Sequence, residues 1–440
     1  MNQMLKIGRS ILAETSGKNC KVKHFIGNGS QGEVYQADLA GNDVALKWYF
    51  PQWSTPEQKE IITTLVEKGP PSKNFLWPME LASATDLKGF GYIMPLRGKQ
   101  YKSITDLMMR RIDPSFKALA TAGFELADSF LQLHSKGLSY RDISNNNVFI
   151  EPNTGAILIC DNDNVTVDSM NNATVFGTPR FMAPEIVRGE AFPTTQTDLF
   201  SLAVLLFYIF MIHHPLEGRK EAEIRSFDIP AMKKIYGTEP IFIFDPDNTS
   251  NRPFPGYHDN ALTFWSIYPQ FLRDLFTKGF TKGIHDAENG RVRENEWRSS
   301  MVRLRDSIVY CSRCGSEAFY DIDSLKATSG SPLSCWSCKK KISLPPRMRI
   351  GEHIIMLNHD TKLYLHHIDD QKMYDFSQAI AAVTQHPKNP GIWGLKNLSD
   401  EKWVVTCAEG VIKDVEPKRS VTLASNTKIN FGKIEGELRN

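Results

Sequence analysis

The stretch Tyr140-Arg141-Asp142-Ile143-Ser144-Asn145-Asn146-Asn147-Val148-Phe149-Ile150 decides how the rest of the chain is read. A carboxylate is followed five positions later by an amide, and the polar turn runs into an apolar, strand-like tail. Fourteen residues after Asn147 a second carboxylate, Asp161, ends the run Ile157-Leu158-Ile159-Cys160, with Asp163 two places further on. Asp142 can accept or orient a hydroxyl proton, while Asn147 and Asp161 offer the hard oxygen ligands that Mg²⁺ prefers. A solvated polar loop beside a strand explains the pattern less well, because apolar runs interrupt the polar ones.

Upstream, Ile26-Gly27-Asn28-Gly29-Ser30-Gln31-Gly32-Glu33-Val34 sets three glycines where a Cβ would keep phosphates away from backbone N–H groups. Dinucleotide-binding loops and plain hairpin turns share that spacing, but here the glycines lie between two strand-like runs. In Val44-Ala45-Leu46-Lys47 a lysine sits inside an apolar strand. Burying it is costly unless an opposite charge offsets it, the alternative being a strand-end lysine that snorkels to water. Downstream come Gly177-Thr178-Pro179-Arg180-Phe181-Met182-Ala183-Pro184-Glu185 and Asp198-Leu199-Phe200-Ser201-Leu202-Ala203.

In this order the motifs resemble the protein-kinase signature set over roughly residues 20–305. More narrowly, the chain is similar to bacterial eukaryotic-like kinases that carry D-x-D in place of D-F-G. His214-Pro215-Leu216-Glu217-Gly218 and Arg291…Glu296-Trp297 extend that likeness. The resemblance implies an α+β, bilobal protein kinase fold, with a β-rich N-lobe over 15–96 and a helical C-lobe over 97–305. It implies transfer of the ATP γ-phosphoryl group to protein Ser/Thr hydroxyls, autophosphorylation and a role in bacterial signalling. Lys47 would hold the phosphates, Asp142 would meet the substrate hydroxyl, and Asn147 and Asp161 would ligate Mg²⁺. Gly27, Gly29 and Gly32 would cover the nucleotide. Val34, Ala45 and Phe149 would sandwich the base, with Met94 as gatekeeper and Pro95, Leu96 and Arg97 as hinge. Asp198 would brace the catalytic loop, and Glu185 would pair with Arg291. A metal-dependent protein phosphatase is the partner the resemblance suggests.

The carboxylate expected to pair with Lys47 lies on a capped helix. Ser54 or Thr55 caps it, Pro56 fits its first turn, Glu57 or Gln58 can complete a capping box, and Gly69-Pro70-Pro71 stops it. Glu60 and Glu67 share one face seven residues apart. Glu60 is favoured because Ile61 and Ile62 follow it, as in the family the chain resembles, and Glu67 lies close to the helix end; surface solvation is the alternative for both. The chain departs from the family pattern at four places. Tyr140 replaces a histidine, and Ser144 replaces a lysine whose contact to a developing oxyanion is worth roughly 2–4 kcal/mol. Asn162 and Asp163 replace Phe and Gly, leaving Asp163 as a candidate further metal ligand, and Pro95 removes one hinge N–H. The resemblance implies that Arg141 awaits a phosphate on the segment 164–175, with Ser169 and Thr174 as candidate acceptors and Thr166 behind them, the alternative being ordinary loop hydroxyls. Thr178 leans the specificity towards Ser/Thr.

The last third has a different texture. Cys311-Ser312-Arg313-Cys314 and Cys335-Trp336-Ser337-Cys338 form two C-x2-C knuckles, which together complete a tetrahedral thiolate site for structural Zn²⁺. This predicts a zinc ribbon over 306–345. Lys339-Lys340-Lys341 beside it reads as a solvated charge run. Residues 346–440 alternate short β-like runs with turns and predict an all-β sandwich. Trp393-Gly394-Leu395-Lys396-Asn397-Leu398-Ser399 is similar to the middle of a forkhead-associated domain, although that family's phosphate-holding arginine and serine are missing.

A chain of 440 residues is too long for one ordinary core, and its net charge of +2 does not suit a dedicated nucleic-acid or membrane-surface protein. No secretory segment or membrane span is expected, and four of the seven cysteines lie in the C-x2-C pairs. That usage predicts a reducing, cytoplasmic setting. Two other readings remain at this point: a nucleotide-binding pseudokinase scaffold, and an adaptor working through its C-terminal modules.

Overall fold

The computed structural model describes residues 3–168, 176–327 and 333–439. The chain forms two compact units. One is made by the chain up to Trp265 with Asp274–Ser299, the other by Ser266–Arg273 with the chain from Ser300 onward.

The first unit begins with a closed barrel of six strands: β1 (Ser10–Ala13), β2 (Asn19–Asn28), β3 (Gly32–Leu39), β4 (Asn42–Tyr49), β5 (Glu80–Ala84) and β6 (Leu87–Pro95). Their order is β1-β2-β3-β4-β6-β5, and β1 closes the ring by pairing with both β2 and β5. Alternation builds β3, whose Tyr35, Ala37 and Leu39 face the core between half-buried Val34, Gln36 and Asp38. From Val44 to Tyr49 every residue of β4 is buried, as suits a central strand. Ile11 and Ala13 of β1 are fully buried in the same core as Leu46, Trp48 and Ile93. The barrel thus includes residues before 15, where the sequence expectation began it; a four-residue strand carries too little pattern to stand out alone.

Helix α1 (Pro56–Lys68) starts where its signals predict. Thr55 is the N-cap and accepts the N–H of Gln58 at 3.2 Å, while Gly69 ends the helix with φ of 65°. Gln58 does not complete a capping box, because its side chain turns inward to the Tyr49 hydroxyl and the Asp163 carbonyl. After the barrel the unit is mainly helical. Helix Phe116–Ser135 buries one stripe, whereas Thr195–Met211 is buried at every position from Thr197 to Met211.

The second unit carries the cysteine knuckles on the strand pair Ile308–Tyr310 and Glu317–Phe319 and on the bridge Ser334–Lys341. It also contains a six-stranded and a four-stranded sheet. Met348, Trp403 and Ile429 of the first sheet share one apolar cluster with Leu363 and Leu395 of the second. The short helix Leu365–Ile368 interrupts a region expected to be all β. Among the described residues no helix is long and apolar enough to cross a membrane.

Candidate functional site

The geometry starts from the register of three strands. Val34 on β3 lies opposite Lys47, and Lys47 lies opposite Tyr92 on β6. Ala45, buried, sits opposite buried Met94. The close approach of β3 and β4 requires Gly32, since a Cβ there would come within 2.3 Å of the Trp48 carbonyl oxygen. At Gly27 and Gly29 a Cβ would meet nothing within 4 Å, so the fold itself places no such demand on them.

Lys47 is 5% exposed at its side chain, and two carboxylates neutralise it. Its Nζ donates to Asp161 Oδ1 at 2.5 Å and lies 2.8 Å from Asp163 Oδ2 and 3.0 Å from Oδ1. Burial alone would depress the lysine, but Asp163 and Asp161 outweigh it and hold the ammonium charged. Asp163 is fully buried at its side chain and also accepts the Tyr49 hydroxyl at 2.6 Å. Burial pushes its carboxyl up against the pull of Lys47, whereas Asp161 is held below the ordinary range, Lys47 overcoming the effect of burial. Glu60 and Glu67 are exposed, and neither is an ion-pair partner of Lys47 among the described residues. Glu60 instead lines a cavity of about 550 Å³ together with Trp53, Ile61, Leu65, Leu138 and Val165.

Asp161 adopts the left-handed conformation, φ 57° and ψ 45°, just before the short turn Asn162–Asn164. Asn162 is buried and donates to the carbonyls of Leu76 at 2.9 Å and Ile159 at 3.2 Å. Asn164 accepts from Gln31 at 2.9 Å, tying the glycine turn to this segment.

Asp142 stands beside Asn147, whose Nδ2 donates to the Asp142 carbonyl at 2.8 Å and to its Oδ2 at 3.2 Å. Thr178 donates to Asp142 Oδ1 at 2.8 Å. Burial raises the Asp142 carboxyl above the ordinary range despite the opposing hydrogen bond from Thr178. The loop is held from beneath by Asp198, which accepts the N–H of Tyr140 at 2.5 Å and of Arg141 at 2.9 Å. His134 lies between Asp198 and Glu294; burial would lower it, but the two acids raise it to about 9. Ser144 is fully buried, with no hydrogen-bond partner for its hydroxyl among the described residues. Arg291 pairs with Glu185 at 2.5 Å.

Of the remaining expected positions, Leu96 and Phe149 are half-buried and Pro95 is exposed. The guanidinium of Arg97 stacks on the Phe149 ring, 4.1 Å from its centroid. Ser169 and Thr174 lie outside the described residues. Tyr49 and Gln58 escaped the sequence reading. Tyr49 had a signal, since a residue two places after Lys47 on a strand shares its face, but Gln58 had none beyond its place in the first helical turn.

In the second unit the four sulfurs of Cys311, Cys314, Cys335 and Cys338 all lie within 4.8 Å of one another. Two of the separations, Cys311–Cys338 and Cys314–Cys335, are 3.6 Å. A tetrahedral ion with Zn–S bonds of about 2.3 Å needs sulfurs about 3.8 Å apart, so the set fits zinc. Hydrogen bonding with Ser316 lowers the Cys314 thiol to about 6, whereas burial and the neighbouring thiols raise Cys338 to about 11.

Residues 97–278 match the model of the protein kinase domain. A probable LIM domain-containing serine/threonine-protein kinase of Dictyostelium discoideum is 26% identical over 240 residues, 53% of this chain and 35% of its own length. Serine/threonine-protein kinase shk2 of Schizosaccharomyces pombe is 25% identical over 288 residues, 59% of this chain and 43% of its own length. Protein kinase C-like 2 of the same yeast is 31% identical over 143 residues, 31% of this chain and 13% of its own length. The chain therefore spans less than half the length of each of these relatives.

Proposed function

We propose that this protein is an ATP-dependent protein kinase that phosphorylates Ser or Thr hydroxyls of proteins. The observation that carries the reading is the pairing of Lys47 with Asp161 and of Asn147 with Asp142, in a chain whose residues 97–278 match the protein kinase domain. The two pairs are linked where Cys160, next to Asp161, donates its N–H to the Asn147 carbonyl at 2.9 Å. The reading takes the barrel as the N-lobe and the helical region as the C-lobe of a bilobal fold.

Lys47 holds the nucleotide phosphates, while Gly27 and Gly29 keep side chains away from them. Val34, Ala45 and Phe149 flank the base next to Met94 and Leu96. Asn147 and Asp161 hold Mg²⁺, which when bound neutralises charge on the phosphate oxygens. Asp142 accepts the proton of the attacking hydroxyl. Its raised pKa makes it a stronger base than a surface aspartate, and the Thr178 hydroxyl and the Asn147 amide fix its two oxygens. Asp198 keeps the loop in place through two backbone N–H groups.

The finer parts of the reading rest on sequence likeness: a D-x-D kinase of bacterial type, autophosphorylation and a phosphatase partner; a cytoplasmic setting rests on cysteine usage. Residues 306–345 are read as a zinc ribbon with a structural ion and 346–440 as a forkhead-associated-like sandwich. Incubation of the purified chain with labelled ATP and Mg²⁺ tests the central claim. Incorporation that disappears in Asp142→Ala and Asp161→Ala is the expected result. Nucleotide binding without any transfer would turn the reading into a scaffold.

A further inference from the structure

We propose that Asp163, not a glutamate of helix α1, is the carboxylate that orients Lys47. This rests on the kinase reading and deepens it. Every carboxylate oxygen of Asp163 is committed: Oδ2 accepts Tyr49 and lies 2.8 Å from Lys47 Nζ, and Oδ1 lies 3.0 Å from the same nitrogen. Asp163 is buried, and so is the Tyr49 that holds it, a residue on the same strand and face as Lys47. Among the described residues, helix α1 hydrogen-bonds to this cluster only through a neutral amide, as Gln58 Nε2 donates to the Tyr49 hydroxyl at 3.2 Å and to the Asp163 carbonyl at 3.1 Å.

The charges explain why the arrangement is self-sufficient. A buried ammonium needs an opposite charge that stays with it. Asp161 is 39% exposed at its side chain and faces solvent, where a cation can take it, whereas Asp163 has no exposure. If Asp161 were to ligate a metal, Asp163 would remain to keep Lys47 charged and aimed. Glu60 and Glu67, both exposed, are free of that duty, so Lys47 is set without any swing of α1. Asp163 is thus a positioning residue, acting on the phosphates through Lys47.

The test is a double-variant cycle in the full chain with two readouts. Melting temperatures of Lys47→Met, Asp163→Asn and the double variant should be non-additive, the double losing clearly less than the sum of the singles. Lys47→Met with Glu60→Gln should be additive. In turnover assays Asp163→Asn should lose at least tenfold in kcat, and Glu60→Gln less than twofold. Additive melting for the 47/163 pair, a Glu60→Gln loss as large as that of Asp163→Asn, or recovery of Asp163→Asn by tenfold more Mg²⁺ would each overturn the proposal. The last outcome would make Asp163 a metal ligand. Should Asp163→Asn not fold, Tyr49→Phe replaces it, with about threefold lower kcat expected and an unchanged kcat counting against the proposal. A wild-type chain that transfers no phosphate sinks the kinase reading alone, since the melting cycle still decides who holds Lys47.

Discussion

Two places in this molecule crowd together groups that repel one another when ionised, and they resolve the problem in opposite ways. Under Lys47 the carboxylates of Asp161 and Asp163 share a cation that the chain supplies itself. At the cysteine cluster four sulfurs gather within 4.8 Å, and Lys339, Lys340 and Lys341 beside them are exposed. The first site has its cation built into the chain; on the proposed reading the second takes its cation, a zinc ion, from outside. The difference teaches where each site is vulnerable: the first to loss of a side chain, the second to loss of its metal.

The largest expected effect breaks the first site. On the proposed reading Asp142→Ala removes the proton acceptor and should lower turnover by about 100-fold or more, read as phosphate incorporation at saturating ATP. Retained turnover would show that the carboxylates serve structure alone. Next, elemental analysis should find about one zinc per chain, and a strong chelator should unfold the segment around the knuckles, since metal binding there is folding free energy. Limited proteolysis between residues 307 and 345 reads this directly, and a chelated protein that resists cleavage would remove the contrast between the sites.

A third site sharpens the comparison, because His134 is an internal cation held by two acids, Asp198 and Glu294. Its pKa rises from the ordinary 6.5 to about 9 on folding. This stabilisation is whole below pH 6.5 and is lost as pH climbs through 9. At about 1.4 kcal/mol per unit the loss approaches roughly 3 kcal/mol. Denaturation midpoints measured from pH 6.5 to 9.5 should fall in the wild type and much less in His134→Gln. The smallest effect belongs to Ser144→Ala. A buried hydroxyl without a partner contributes little, so stability should stay within about 1 kcal/mol of wild type and turnover within about twofold. A large loss of turnover would give that hydroxyl a role at the phosphoryl group.

Much of this was legible in the chain. Six spaced motifs singled out the candidate site residues, an apolar run marked β4, and capping signals placed α1. The cysteine spacing announced the cluster whose sulfurs the fold brings together. The partner of Lys47 was not legible. Glu60 fitted every local rule, yet the ammonium meets residues 114 and 116 positions away. Gln58 was equally opaque, because a residue in the first turn of a helix can serve the cap or the core, and only its neighbours decide.

The sequence by itself determined the chemistry on offer: which carboxylates, amides, glycines and thiols exist, and which of them share a face within one strand or helix. Periodicity does that, because backbone geometry repeats inside an element. Only the tertiary structure decided which of those groups meet. The left-handed turn at Asp161 and the inward side chain of Gln58 bring Asp163 and Tyr49 onto Lys47 while Glu60 stays at the surface. Such a choice depends on how separate elements pack, and no local pattern encodes the angle between them.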